Sequence, residues 1–300
     1  MVTKDLLVSC SHCTLRIALD EFGFPKNNHC AAVAQGDGLY YGLAATDSGS
    51  IWLAARRALV SDKSHSEDEK GIVINLSETP PSLIRPPDLP LRDLHGVGSH
   101  GETVWVVCSY DDIIGIYHYV TQEWAWWQPL PLSESSSPDQ YHFNTVAFEG
   151  EFVWVLAHRR GPSWLMAFPI EDAMAGRTVE PVKKLTLGEQ AHNIWRQPDG
   201  ELCTCSSIQG LLLGESGWRH ETGGFPRGVA QTDAGWAVGI SALKERKDRD
   251  FSDASLKLYN HNWRLYADLV LPNVGMVLDI LAIPSITRLP IVGTLRLAVS

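Results

Sequence analysis

Leu94-His95-Gly96-Val97-Gly98-Ser99-His100-Gly101-Glu102-Thr103-Val104-Trp105-Val106-Val107 and Phe143-Asn144-Thr145-Val146-Ala147-Phe148-Glu149-Gly150-Glu151-Phe152-Val153-Trp154-Val155-Leu156 align without a gap. Each reads as a strand, a tight glycine turn and a second strand, with a Val-Trp pair at the same place. Looser copies stand at 41–52, 192–202 and 227–236. Each copy is followed by a third short strand, such as 115–119 or 256–259, and usually by a Trp-containing fourth, such as 124–128 or 263–266. Recurrence at roughly 40–50 residues is the signature of blades, and a repeated four-stranded antiparallel unit is a propeller blade.

A sixth inner strand is read over 276–283, which is apolar apart from Asp279, as a strand covered on both faces should be. The chain then nearly ends. The missing partners lie at the other terminus, where 6–9, 14–19 and 29–34 are expected to complete the sixth blade. Joining the two ends in one sheet closes the ring and removes an exposed edge. The expected fold is therefore all-β: a single propeller domain over 1–300, with six four-stranded blades closed by N- and C-terminal strands. Five or seven blades remain open, because the first copy and the N-terminal strands divide in more than one way. A β-sandwich would not repeat a glycine-turn motif in each unit. The best helix candidate, 171–175, is short and ends at Gly176.

Composition narrows the function. A net charge of -10, from 35 acidic against 25 basic residues, opposes attraction to nucleic-acid phosphates or anionic lipid. No stretch has enough unbroken apolar residues to span a bilayer, and the start lacks the apolar region of a secretory signal, so a cytoplasmic location is expected. Six cysteines are read as free thiols, since a chain of this size does not need disulfide staples. Cys10-Ser11-His12-Cys13 looks like half a metal knuckle but lies in a predicted hairpin with no second pair at finger spacing. Cys203 and Cys205 fall on one face of a strand, as small core residues do.

In general pattern the chain resembles the six-bladed propellers of the gluconolactonase and NHL-like type. The residues that carry the likeness are the Pro226-Arg227-Gly228-Val229-Ala230 strand start and the Pro198-Asp199-Gly200 turn. The gluconolactonase side of the resemblance implies a divalent metal on the central axis, held by carboxylate and Asn side chains of inner strands. Asn144, Asn193 and Asp279 are the residues here that match such a set. Histidines stand where that family's pattern does not ask for them.

Inner strands of a propeller begin at one face and converge on the axis, so residues at their starts are spatial neighbours. The repeat nominates Tyr41, His95, His142 with Asn144, His192 with Asn193, Arg227 and Asp279. Three of the chain's 11 histidines at equivalent positions exceed what core packing requires, because each buried imidazole needs partners for its ring nitrogens. The expected funnel has His95, His142, His192, Asn144, Asn193 and Asp279 as candidate ligands of a divalent metal. Its candidate catalytic residues are His95, His142, His192, Arg227 and Tyr41, with Arg227 holding an anionic group. The bland alternative is a wet channel lined by structural side chains. His158, in Ala157-His158-Arg159-Arg160, reads as part of a solvated loop, and the charged stretches 61–70 and 244–250 read as solvated hairpin tips. The 11 tryptophans are better explained by packing between sheets than by sugar stacking.

Two functions follow. One is an enzyme acting on a small polar or anionic metabolite by metal-assisted or His-mediated hydrolysis, lyase chemistry or isomerisation. The other is a binding module for a protein or glycan partner. Imidazoles converging on the axis favour the enzyme, since a binding platform has no need of them.

Overall fold

The glycine-turn repeats fold as the inner hairpins of blades in the computed structural model, which describes residues 4–27, 29–61, 66–133, 137–158 and 161–299. Blade 1 is built on the inner strand Tyr40–Ala45, blade 2 on Leu94–His100 and blade 3 on Phe143–Glu149. Blade 4 starts with Ala191–Arg196, blade 5 with Phe225–Gln231 and blade 6 with Val277–Pro284. Six antiparallel sheets result, four of four strands and two of five. The six inner strands pack side by side in a closed ring around the axis.

The ring closes as expected. Lys4–Cys10 pairs antiparallel with Val277–Pro284, from Lys4 opposite Pro284 to Cys10 opposite Val277, and Cys13–Ile17 and His29–Gln35 complete blade 6. The tail adds what the repeat did not foretell. Gly293–Arg296 pairs outside His29–Gln35, and Ala298–Val299 pairs onto the outer strand of blade 5, Leu265–Leu271. The helix Ile170–Met174 occupies the segment where a short one was expected, and among the described residues no helix is long and apolar enough to cross a membrane.

The repeated tryptophan serves packing between blades. Trp105 lies in an apolar cluster with Phe143 and Met166 of blade 3, while Trp154 packs with Ala191 and Ile194 of blade 4. Burying a large apolar side chain of this kind contributes about 1.5–3 kcal/mol, and Trp52 and Trp236 are likewise buried in the second strands of blades 1 and 5.

Two further devices recur and matter for the site. Each inner strand carries a β-bulge near its start, with the register shifting between Tyr40 and Leu43, Leu94 and Val97, Phe143 and Thr145, His192 and Ile194, and Arg227 and Val229. In blade 6 the shift falls opposite Ser9 and Cys10, at Leu278. A bulge releases backbone groups from the ladder and re-aims side chains. Small residues let bulged strands touch: a Cβ on Gly42 would come within 2.1 Å of the Val97 nitrogen, and Gly228 has φ +72°. The second device is a polar clasp at or just past the end of the second strand in blades 2, 4 and 5. The Ser207 hydroxyl donates to the Pro226 carbonyl at 2.7 Å and the Ser241 hydroxyl to the Val277 carbonyl at 3.2 Å, while Ser109 donates to the Phe143 carbonyl. Each ties one blade to the inner strand of the next.

The charged stretches differ from expectation at Glu69 and Asp250. Glu69 is buried in an ion pair with Arg56, which also pairs with Asp93 at 2.5 Å. Asp250 is fully buried and accepts the Ser61 N–H at 2.6 Å, at the end of a 3-10 turn over Arg246–Phe251. Among the described residues these two depart from the expected solvated tips, while Glu67, Asp68, Lys70, Lys244, Glu245, Arg246, Lys247 and Asp248 are exposed as expected; residues 62–65 of the first stretch lie outside the described residues.

Removing residues 1–19 takes away the partner of Val277–Pro284 and exposes sheet edges on both sides of the gap. The truncated chain is expected to aggregate or fail to melt cooperatively. Size-exclusion chromatography and calorimetry would show this, and a monomer with unchanged Tm would refute the closure.

Candidate functional site

Inner strands begin, and second strands end, at the same end of the ring, so residues just before the one and just after the other meet around the axis. The His158 N–H donates to the His142 carbonyl at 3.2 Å, which sets the two imidazoles side by side. From this pairing a belt of rings runs round the funnel. Centroid separations are 4.2 Å for Tyr41 and His95, 4.9 Å for His95 and His142, and 4.0 Å for His142 and His158. The belt continues at 5.6 Å to His192 and 5.9 Å to Phe225. Arg227 closes it: its guanidinium lies 5.1 Å from the Phe225 ring, and Nη1 donates to the Tyr41 hydroxyl at 2.8 Å.

Tyr41, His95, His142, His192 and Arg227 thus come together. Asn144, Asn193 and Asp279 sit beside them, lining an axial cavity of about 170 Å³ that Tyr41 and His192 also border. Asp279 is committed to protein donors there: Leu43 N–H at 2.9 Å, Ile280 N–H at 2.8 Å and Asn193 Nδ2 at 3.2 Å. Larger grooves of about 530 and 510 Å³ flank Trp124 on the outer edge of blades 1 and 2 and hold none of the nominated residues.

His158 is a correction. It is 7% exposed and stands between His142 and His192 rather than in a solvated loop. It follows its blade's second strand, as Arg56, Ser109 and Ser207 follow theirs. Aligning the ends of the second strands, as well as the starts of the inner ones, would have found it. The Arg56–Glu69–Asp93 network beside His95 was also missed, because its members come from three separate segments.

Hydrogen bonding fixes the imidazole tautomers. The Ser109 hydroxyl gives its proton to the Phe143 carbonyl, so at 2.8 Å it accepts from His95 Nδ1, which also faces the Asp93 carbonyl at 2.8 Å. By the same logic Ser207 accepts from His192 Nδ1 at 2.7 Å. His142 Nδ1 is 2.6 Å from an Asp139 carboxylate oxygen. His95 and His192 therefore carry the proton on Nδ1 and keep an Nε2 lone pair, and hydrogen bonds of this kind orient metal-bound and catalytic imidazoles.

Burial keeps these rings neutral. It holds His95 at about 3 despite the Asp93 carboxylate beside it, and His158 at about 2, with His142 adding to the effect. Burial, with Arg227 next, also holds His192 well below the ordinary histidine range. Burial pushes the Asp93 carboxyl up, but the charge of the Arg56 guanidinium beside it works the other way, and the net effect holds it below its ordinary range. Among the described residues Asp93, His95 and His142 offer one ligand atom each within 4.8 Å of one another. The buried polar atoms with no partner include His192 Nε2, Asn144 Nδ2 and Arg227 Nε, all at the funnel or its cavity.

A basic rim borders the Tyr41 side. Arg246 donates from Nε to the Val60 carbonyl at 3.0 Å, and Val60 packs against the cluster that contains Tyr41. Burial, with Arg227 and Arg246 nearby, holds the Arg249 guanidinium below its usual range.

No protein-family model matches the sequence, and no curated protein is similar to it in sequence. Solved structures are similar in shape. A chain of the nidogen/laminin complex superposes with TM-score 0.64 at 11% identity, covering 93% of this chain and 98% of its own. A protein of unknown function from Bacteroides caccae gives 0.61 at 13% identity, with 94% and 99% covered. A protein provisionally described as a gluconolactonase gives 0.54 at 12% identity, with 92% and 99% covered. The chain is a six-bladed β-propeller. At these identities the likeness is one of fold.

Burial raises Asp279 to about 6. A carboxyl raised in the folded state adds stability below its unfolded value, near 4, and that stability is lost as pH rises through about 6. The stability of wild type relative to Asp279→Asn should therefore fall by about 2–3 kcal/mol between pH 4 and pH 7.5. Urea unfolding of both proteins at the two pH values checks this; a constant difference would place Asp279 in an ordinary, hydrated environment.

Proposed function

We propose that this propeller is an enzyme that binds a small anionic metabolite in the axial funnel and acts on it with its histidine belt, aided by a divalent metal. The observation that carries the reading is the matched support of the belt: three imidazoles, each with Nδ1 occupied by its own partner, and His95 and His192 held neutral by burial with an Nε2 lone pair left over. A binding platform gains nothing from that arrangement, and burying such rings is costly.

The donor set fits a metal. Neutral imidazole and carboxylate suit divalent ions such as Zn, Fe, Ni and Co, and His95, His142 and Asp93 already converge. His95 and His192 are poor proton acceptors near neutral pH because burial holds their basicity far below it, so ligation suits them better than base catalysis. Asp139 fixes the His142 ring in the same way, with Nδ1 engaged and Nε2 turned away from it. A bound divalent ion would supply Lewis-acid polarisation of a substrate oxygen.

The remaining roles fall to the chain's own groups. Arg227, buried with Nε unpartnered, is placed to pair with a carboxylate or phosphate, and Arg246 and Arg249 draw anions toward it. The Tyr41 hydroxyl, bonded to Arg227, is available as a donor to the same group. Water-assisted hydrolysis, elimination and isomerisation all use such a pairing of cation and electrophile. The rival reading, a protein-binding module, draws on the nidogen/laminin propeller's place in a protein complex. It predicts that the belt takes no ion.

Titration with Co²⁺ or Zn²⁺ followed by calorimetry should show one bound ion per chain. His95→Ala and His142→Ala should each weaken it about 10–100-fold while shifting Tm little. Wild type that takes up no ion, or variants that bind as well as wild type, would remove the metal from the proposal and favour the binding module.

A further inference from the structure

The turn between the first two strands of the chain carries a second chemistry, away from the histidine belt. Lys4–Cys10 and Cys13–Ile17 form a hairpin whose register, Leu6 opposite Ile17 through Ser9 opposite Thr14, places Cys10 opposite Cys13 across the two-residue turn Ser11-His12. Residues opposite one another in an antiparallel pair have Cα atoms about 4.5–5.5 Å apart. A disulfide needs about 4.4–6.8 Å, so no backbone movement is required to join them. Both side chains face the same apolar cluster, Cys10 fully buried within it and Cys13 half-buried against it. The Cys10 thiol donates to the Val8 carbonyl at 3.8 Å.

We infer that Cys10 and Cys13 are a redox-active dithiol that reacts with small-molecule disulfides. The two sulfurs are unequal in the way thiol–disulfide exchange requires. Cys13 is the accessible one, and the Cys10 thiol beside it holds its thiol below the ordinary range, which favours the nucleophilic thiolate. Cys10 is buried, and burial first and Cys13 second push its thiol up. The Cys13 thiolate attacks one sulfur of a disulfide RSSR, forming a protein–SR mixed disulfide and expelling RS⁻, which takes up a proton. Cys10, losing its proton, then attacks the Cys13 sulfur and expels the second RS⁻. The protein loses two electrons and two protons, and RSSR becomes two RSH. The remaining cysteines lack such a partner arrangement: burial raises Cys30, Cys108, Cys203 and Cys205, and Cys203 and Cys205 lie two apart along one strand.

The turn is also wired to the rest of the ring. The Ser11 hydroxyl accepts the Met276 N–H at 3.1 Å, His12 Nε2 bonds the Asp250 carbonyl, and the His12 ring lies 5.1 Å from that of Phe251. The dithiol thus sits where blade 6 meets the Arg246–Phe251 turn.

The folded full-length protein, incubated with oxidised glutathione and then alkylated, provides the test. Tryptic peptide 5–16 contains both cysteines. In wild type it should be two hydrogens lighter and unalkylated, and dithiothreitol should restore it. In Cys10→Ser the reaction should stop at one glutathione on Cys13, and in Cys13→Ser the peptide should stay reduced. A wild-type peptide that remains fully alkylatable, or glutathione found on Cys10 in preference to Cys13, would overturn the inference. Because the wild-type measurement needs no substitution, a variant that folds poorly leaves the test intact.

Discussion

The pairing of Lys4–Cys10 with Val277–Pro284 holds the molecule in register. Five blades can be written as local hairpins joined in series, but the sixth exists only if the two ends of the chain meet. Until they do, the strand that carries Asp279 has no partner on its outer side, and Tyr41 and Arg227 have no fixed separation, since they belong to blades on either side of the closing one. The tail reinforces the join by adding a strand to blade 6 and another to blade 5. A ring closed by contacts of such high sequence separation carries a large loop-closure cost, repaid by the burial of an edge that would otherwise recruit other chains.

The belt is what the ring makes affordable. Four imidazoles, a phenol and a guanidinium are held at ring-to-ring distance in a funnel where burial keeps His95, His158 and His192 uncharged. Each nominated histidine has its own support, a serine at the end of a neighbouring strand or the carboxylate of Asp139. Ser109 and Ser207 do two jobs with one hydroxyl, accepting from an imidazole and donating to the next blade's carbonyl. Loss of either serine would loosen a blade interface and free a ring nitrogen together. Structure and chemistry are therefore coupled at the same atoms, and this is why the site can be precise on a scaffold made of short strands.

Much of the fold was legible because the repeat is written in turn chemistry and burial. The Val-Trp strand, the glycine turn and the apolar strand at 276–283 each have a local physical reason to be where they are, and so the six blades and the closure follow from them. The belt was legible to the extent that it uses the starts of inner strands: Tyr41, His95, His142, His192 and Arg227. His158 was not, since it occupies the end of a second strand and its neighbours in sequence, Arg159 and Arg160, resemble a surface loop. Glu69 and Asp250 were hidden for a related reason. A charged residue in a run of charges looks solvated until tertiary structure supplies its partner, and Arg56 and the Ser61 amide are far from them in kind or in sequence. The bulges could not be anticipated either, because a single extra residue in a strand leaves no mark on hydrophobic alternation beyond a break that a turn would also produce.

The central claim is that His95 and His192 are neutral at the axis, protonated on Nδ1, with Nε2 left for a ligand. Nitrogen NMR of protein labelled with ¹⁵N in its histidines reads this directly, because protonated, pyrrole-like and pyridine-like ring nitrogens resonate apart. At pH 7 the account predicts pyridine-like Nε2 signals for both rings, assigned by single substitutions, and a shift of that of His95 when Zn²⁺ is added. Doubly protonated rings, or lone pairs on Nδ1, would contradict it.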